Sequence, residues 1–192
     1  LDVATARLEY YESPGALPTV ELSSIKMDLY RRDFTINALA VQLNEARFGI
    51  LIDPFGGQKD IKEKNIAVMH SLSFIEDPTR IMRAARFELR FHFRITAQTE
   101  RLIENALSLR IIEKVSGVRL FNEFKHVCAE KEATACIRRL NNWGLLKMID
   151  PVLEMNPTKD IIISNIDEIV KWYNLIYDDA KPRLWLIYLL AL

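Results

Sequence analysis

The segment from Glu76 to Phe87, EDPTRIMRAARF, combines two acids, a proline and three arginines. Pro78 suits the first turn of a helix, where the helix dipole also favours acidic side chains. At 100° per residue, four arginines fall within about one third of the helix circumference: Arg80, Arg83, Arg86 and Arg90. A carboxylate can accept from the exocyclic amine of a base, and guanidinium groups can donate to ring acceptors or phosphate oxygens. The pattern predicts a nucleotide-binding surface; the alternative is a solvated helix with ordinary ion pairs.

The rest of this helix supports the same geometry. Apolar residues fall on the side opposite the arginines: Ile81, Met82, Ala85 and Leu89. Glu76 and Asp77 lie four and three residues before Arg80, so they are close enough to hold its guanidinium. We therefore predict an apolar back that packs inward and a cationic front.

Two further polar clusters precede this helix. Arg31-Arg32-Asp33-Phe34-Thr35-Ile36-Asn37 could bracket sugar hydroxyls and meet a triphosphate, or it could be an ordinary capping and salt-bridge arrangement. In Asp53-Pro54-Phe55-Gly56-Gly57-Gln58-Lys59-Asp60, the paired glycines permit a positive φ, and the two acids can fix the turn by accepting backbone amides. No lysine-serine pair follows as in a P-loop, which favours a hinge or brace for the second cluster.

In this order and spacing, the three segments resemble motifs of class II tRNA nucleotidyltransferases and bacterial poly(A) polymerases. RRDFTINALA is similar to the family's ribose-recognition motif, DPFGGQKDI to its next motif and EDPTRIMRAARF to its base-selecting EDxxR motif. VSGVRLFNEF, residues 115–124, is similar to the helix motif that follows. The resemblance covers roughly residues 1–150 and implies a template-independent enzyme that adds C, A or both to the 3′ end of tRNA, or a poly(A) tail to RNA, from ATP and/or CTP.

The resemblance also implies roles for individual side chains. In that family, the aspartate and first arginine of EDxxR present a base-pair-like edge to the incoming base, and here these are Asp77 and Arg80. The next arginine, Arg83, would face the triphosphate, and the cationic face adds Arg86 as a nucleotide-binding candidate.

The ribose motif supplies the remaining candidates. Arg32 would contact the triphosphate and Asp33 the ribose, with Asn37 in support.

The same family holds two Mg²⁺ ions on an Asp-x-Asp pair that follows a Gly-Gly-x-Val-Arg-Asp loop, and neither pattern occurs in this sequence. We expect both upstream of Leu1, so no catalytic residue is assigned here and the chain alone is not expected to polymerise. Cys128, Cys136 and the three histidines lack ligand spacing, so we predict no protein-bound metal in this chain. Packed, reduced thiols are expected instead, as in a cytoplasmic protein.

The elements that position these groups are predicted to form an α+β fold, the remnant of a mixed-sheet nucleotidyltransferase head over residues 1–70 and an all-α helical neck and RNA-binding body over 71–192. The first part comprises a strand at 1–9, a loop at 10–24, a helix from Ser24 to Leu29, a hairpin of 38–43 with 48–52, a turn at 53–57, a helix at 58–64 and a strand at 66–69. Helices are predicted at 77–91, 96–108, 116–130, 131–142 and 160–178.

Bulk composition limits the partners. The 192 residues are 49% hydrophobic, enough for a core, and their 26 basic and 26 acidic residues give no net charge, so contact with RNA must be local. No apolar run reaches transmembrane length, and the apolar stretch 184–192 is predicted to be a helix buried in a larger protein. An alternative function is a non-catalytic RNA-binding or scaffolding module. A phosphohydrolase would need His–Asp metal pairs, and three scattered histidines argue against one.

Overall fold

Residues 2–12, 15–177 and 182–192 are described by a computed structural model. Within them, helices and three two-stranded sheets confirm the predicted α+β class. The chain divides into two compact units after Val115. The domain boundary predicted at residue 70 was based on a change of sequence periodicity. It stays a prediction.

The first unit begins with an antiparallel pair that the sequence predicted only in part. Strand β1, Arg7–Tyr10, pairs with β2, Thr19–Leu22, so that Arg7 lies opposite Leu22. Of the strand predicted at 1–9, only the residues from Arg7 onward are a strand. The loop predicted at 10–24 contains strand β2. Ser13 and Pro14 of that loop lie outside the described residues.

Helix α1, Ile25–Tyr30, begins as predicted, because the Ser24 hydroxyl accepts from the Met27 amide at 3.4 Å. The predicted hairpin is present but short: β3, Ala40–Val41, pairs antiparallel with β4, Leu51–Ile52. Helix α2 spans Gly57–Glu63.

A parallel strand pair was not predicted. Strand β5, Asn65–Ile66, pairs with β6, Arg94–Ile95, which lies inside the region predicted to be entirely helical. That part of the prediction is wrong, because two residues show no periodicity and their pairing depends on a segment 29 residues away.

The predicted helix at 77–91 is present but begins three residues later, and a short helix precedes it. Helix α3, Ser73–Glu76, ends where Asp77 is extended, and α4 runs from Arg80 to Phe91. Helix α5, Ala97–Ser108, follows the Thr96 cap as predicted. The apolar side of α4 forms the core of this unit together with side chains from the preceding segments: Leu29, Phe34, Phe74, Ile81, Met82 and Ala85 are buried.

The second unit is helical. Its helices are α6, Gly117–Cys128; α7, Ala133–Asn142; α8, Leu145–Ile149; α9, Pro157–Ser164; α10, Ile166–Ile176; and α11, Leu184–Ala191. The predicted helix at 160–178 is therefore interrupted at Asn165, and its last residue lies outside the described ranges. Cys128 and Cys136 are buried and not joined in a disulfide, which agrees with the packed thiols predicted. None of the described helices is long and apolar enough to cross a membrane.

Candidate nucleotide site

A cleft of about 520 Å³ opens in the first unit where β1, the segment after α1 and the start of α4 meet. We name it the arginine cleft. Ten side chains line it: Glu9, Tyr11, Arg31, Arg32, Asp33, Asn37, Asp77, Arg80, Arg83 and Phe87. Six of the seven predicted nucleotide-binding residues are among them, and Arg86 is not. Segments far apart in sequence therefore meet at one concave surface.

Asp77 lies at the entrance to α4. Its Oδ1 accepts hydrogen bonds from the backbone N–H of Thr79 at 3.1 Å and from the Thr79 hydroxyl at 2.6 Å. Asp77 is extended, whereas Thr79 is already helical, so these bonds fix the carboxylate at the turn into the helix.

Arg80 is 4% exposed, yet it lines the cleft. Its Nη1 donates to the Ser73 hydroxyl at 2.7 Å, and its Nη2 donates to the backbone carbonyl of Arg31 at 2.7 Å. The Glu76 carboxylate, predicted to hold this guanidinium, lies instead 3.5 Å from His70 Nε2. Because Arg80 and Arg86 are both buried, the alternative of a solvated cationic helix is wrong for this end of α4.

His70 adds an aromatic group behind the start of α4. Tyr30 stacks on it with ring centroids 4.9 Å apart. Burial lowers the pKa of His70 below its ordinary value; the Glu76 carboxylate opposes this change, and Arg80 adds to it. The imidazole is therefore neutral at neutral pH, which avoids a second buried cation near Arg80.

The ribose motif and α4 are joined through Asp33. Its Oδ2 accepts from Arg83 Nε at 2.8 Å, and Arg83 Nη2 donates to the same oxygen. Its Oδ1 accepts from the Asn37 side chain at 3.0 Å and from the Phe34 backbone N–H at 2.9 Å. The pair predicted to contact ribose and triphosphate is thus one hydrogen-bonded assembly.

Glu9 and Tyr11 were not predicted. Arg31 Nη1 donates to Glu9 Oε1 at 2.8 Å, and the Tyr11 hydroxyl donates to Glu9 Oε2 at 3.3 Å. Burial raises the pKa of Tyr11 to about 12, against the effect of Arg80, so the phenol stays protonated at neutral pH. The signal available in the sequence was their spacing of two in extended chain at the end of β1, which places both side chains on one face.

Arg32 approaches the cleft from a more exposed position. Its Nη2 lies 3.3 Å from Asp28 Oδ2, and its side chain is 44% exposed. Burial alone would raise the pKa of Asp28, but hydrogen bonds from the Arg31 side chain, the Arg7 backbone N–H and Arg32 lower it overall. Asp28 is therefore an ionised anchor for both arginines.

The DPFGG loop braces the site from outside the cleft. Asp53 accepts from the backbone N–H of Gly57 at 2.7 Å and of Gln58 at 3.0 Å, which caps α2. These donors outweigh burial and lower the pKa of Asp53. Asp60 accepts the Thr35 hydroxyl at 2.5 Å rather than a backbone amide. The geometry agrees with a brace that holds the turn carrying Asn37.

Across the described ranges, no group of three or more His, Cys, Asp or Glu side chains could hold a metal ion.

Family comparisons agree with this geometry. Residues 1–67 match the family model for the poly A polymerase head domain, and residues 92–156 match a model described as a probable RNA and SrmB-binding site of polymerase A. The chain belongs to the tRNA nucleotidyltransferase and poly(A) polymerase family.

Individual relatives make the similarity more specific. An A-adding tRNA nucleotidyltransferase from Geobacter sulfurreducens is 50% identical over 192 residues, which cover all of this chain and 22% of that protein. A solved CCA-adding enzyme in an apo form is 44% identical, with a TM-score of 0.91 over 98% of this chain and 44% of that one. A tRNA nucleotidyltransferase complexed with a primer tRNA and an incoming ATP analog is 37% identical, with a TM-score of 0.81 over 91% of this chain and 51% of that one. The chain therefore spans about a fifth of that curated relative and about half of the solved chains.

Proposed function

We propose that the complete protein is a template-independent RNA nucleotidyltransferase that adds C and/or A to the 3′ end of tRNA from CTP and ATP. The proposal assigns nucleotide recognition to this chain. The observation that carries it is that Asp77 and Arg80 line the same cleft as Arg32, Asp33 and Asn37 of the ribose motif. The similarity to an A-adding enzyme and to a structure containing tRNA and an ATP analog supports the same activity.

The chemistry of the pair accounts for a choice of bases. Adenine and cytosine each carry an exocyclic amine beside a ring acceptor, whereas guanine and uracil carry a carbonyl oxygen where the amine would be. The Asp77 carboxylate accepts from the amine, and the Arg80 guanidinium donates to the ring acceptor. A carbonyl facing Asp77 would place two acceptors against each other, so the pair favours ATP and CTP over GTP and UTP.

The other cleft residues are proposed to hold the sugar and the phosphates. Asp33 accepts from a ribose hydroxyl with Asn37 in support, while Arg32 and Arg83 donate to the triphosphate. Arg86 is buried outside the lining, with its guanidinium 5.9 Å from the Phe87 ring centroid. Its proposed contribution is therefore the positive potential of α4 rather than a direct contact.

The predicted domains and partners complete the proposal. Residues 1–70 would be the end of the catalytic head, and 71–192 a neck and body that bind the RNA 3′ end; the ranges of the two family models support this division. Mg²⁺, held outside the residues described here, stays an expectation from the family. A cytoplasmic location is proposed from the tRNA substrate and from the two buried cysteines, which form no disulfide.

Substituting the base-reading pair tests the function. In the complete protein, Asp77→Ala and Arg80→Ala should each lower the kcat/KM ratio of the cognate nucleotide to GTP and UTP by roughly 10–100-fold, because a bidentate contact is lost. Steady-state incorporation into tRNA ending in the discriminator base, C or CC, with each nucleotide separately, measures both the ratio and the step at which the enzyme acts.

Glu104→Ala and Arg101→Ala change an exposed acid and an exposed base on α5 and serve as controls. Variants of the pair with wild-type preference and rate would refute the assignment of the base-reading face. A complete protein that binds tRNA but incorporates nothing would instead support the non-catalytic module.

A further inference from the structure

The guanidinium of Arg80 is held by two acceptors from different parts of the chain. The Ser73 hydroxyl, on α3, receives Nη1, and the Arg31 backbone carbonyl, at the end of α1, receives Nη2. A guanidinium is planar with five N–H donors, so one bond to each terminal nitrogen fixes both its plane and its rotation. These two bonds use only two of the five donors.

Ser73 is a fully buried polar residue that the proposed function does not otherwise use. It is 0% exposed and lies seven residues before Arg80, outside the residues that line the arginine cleft. A hydroxyl buried against a charged donor at 2.7 Å forms a charge-assisted hydrogen bond, the stronger class of such contacts. Its geometry points to a role exerted through Arg80 rather than on a ligand.

The second acceptor is itself held in place. The Arg31 side chain donates to Glu9 Oε1 at 2.8 Å and to Asp28 Oδ1 from Nε at 3.0 Å. Both acids are themselves largely buried. The carbonyl that receives Arg80 therefore belongs to a residue anchored at its other end, and it precedes Arg32 and Asp33 of the ribose motif.

We propose that Ser73 is a positioning residue for base selection, which sets the orientation of Arg80 jointly with the Arg31 carbonyl. This inference rests on the proposed function of the arginine cleft. Without the hydroxyl, Nη1 loses its acceptor, and the guanidinium can rotate about the remaining bond to Arg31. The edge offered to the base then no longer has one orientation, so discrimination falls more than turnover of the cognate nucleotide.

The test is Ser73→Ala in the complete protein, with kcat and KM measured for ATP, CTP, GTP and UTP on tRNA primers. We expect the ratio of cognate to non-cognate kcat/KM to fall about tenfold, as for loss of a hydrogen bond to a charged group. Ser73→Thr keeps the hydroxyl and should retain most of the ratio. Ser71→Ala, an exposed serine two residues earlier, is the matched control and should keep the wild-type ratio.

Three outcomes would overturn the inference: an unchanged ratio in Ser73→Ala, an equal loss of rate for every nucleotide, or a Ser73→Thr variant as indiscriminate as the alanine variant. Should Ser73→Ala not fold, Ser73→Cys replaces the hydroxyl by a somewhat larger and weaker acceptor, and an unchanged ratio there overturns the inference equally. Measuring Asp77→Ala in parallel separates a failure of the positioning role of Ser73 from a failure of the proposed function of the cleft. If Asp77→Ala loses discrimination and Ser73→Ala does not, only the positioning role fails; if neither does, the proposed function fails as well.

Discussion

Asp33 is the residue through which the two halves of the arginine cleft are joined. One carboxylate oxygen receives Arg83 from α4, and the other receives Asn37 and the Phe34 backbone N–H from its own segment. A carboxylate offers about four acceptor positions, and these contacts already supply four donors, so a ribose hydroxyl would have to replace or share one of them. The proposed sugar and phosphate contacts would therefore be coupled through one side chain.

Asp33→Asn tests the proposed ribose and triphosphate contacts with a substitution that should not disturb the fold. It keeps the volume but removes the charge that holds Arg83, so we expect kcat/KM for ATP to fall by roughly 10–100-fold, the value of a charge-assisted hydrogen bond. The preference for ATP over 2′-deoxy-ATP should also fall. Asn37→Ala leaves the bond between Asp33 and Arg83 in place and should lose less of both. Single-turnover assays with the two nucleotides measure this, and an Asp33→Asn variant that still strongly prefers ATP would contradict the ribose role.

At the residue scale, the sequence predicted the cleft residues that stand in dense clusters and missed those that stand alone. Arg32, Asp33 and Asn37 stand within one short segment, so their types and spacing were informative. Glu9 and Ser73 carry no such pattern. Their importance depends on Arg31 and Arg80, which reach them from 22 and seven residues away.

At the element scale, helices with local signals were predicted well. Ser24 caps α1 and Thr96 caps α5. Both caps could be predicted because each side chain accepts from a backbone N–H only three residues later. Strand β6 was missed because its partner is distant, and the helix predicted from Asp77 instead begins at Arg80 because Asp77 is extended before Pro78. Strand β6 could not be predicted locally because it forms only by pairing with a distant segment.

The brace formed by α2 gives a prediction at this scale. An added Cβ on Gly57 would lie 2.4 Å from the Thr35 carbonyl oxygen, so α2 would have to move away from the turn that carries Asn37. We expect Gly57→Ala to reduce the free energy of unfolding by about 1–3 kcal/mol, as for overpacking of a filled site. The KM for the nucleotide should rise as well, because the turn is displaced.

Gly117→Ala is the matched control, since an added Cβ there has nothing within 4 Å. It begins α6, so the change should be neutral or stabilise by up to about 1 kcal/mol. Urea unfolding of the two variants, with nucleotide KM measured on the same preparations, checks both effects. Equal stability of the two variants would show that the close approach of Gly57 to Thr35 does not constrain the brace.

At the scale of the whole molecule, the arginine cleft is contained in one unit. Its lining residues lie between Glu9 and Phe87, all before the division that follows Val115. The total of 26 basic and 26 acidic residues gives no general positive field, so the proposed attraction of a nucleotide would depend on this local cluster. Binding of a nucleotide should therefore be a property of the first unit.

Hydrogen exchange on the 192-residue chain tests this location directly. Saturating ATP should slow amide exchange in two segments, around residues 31–37 and 77–83, because a ligand in the cleft stabilises both walls. Exchange in residues 116–192 should stay unchanged. GTP shares the triphosphate and ribose but presents a carbonyl to Asp77, so it should protect the first segment more than the second. Equal protection of the second segment by ATP and GTP would show that Asp77 and Arg80 do not distinguish the bases, whatever else binds in the cleft.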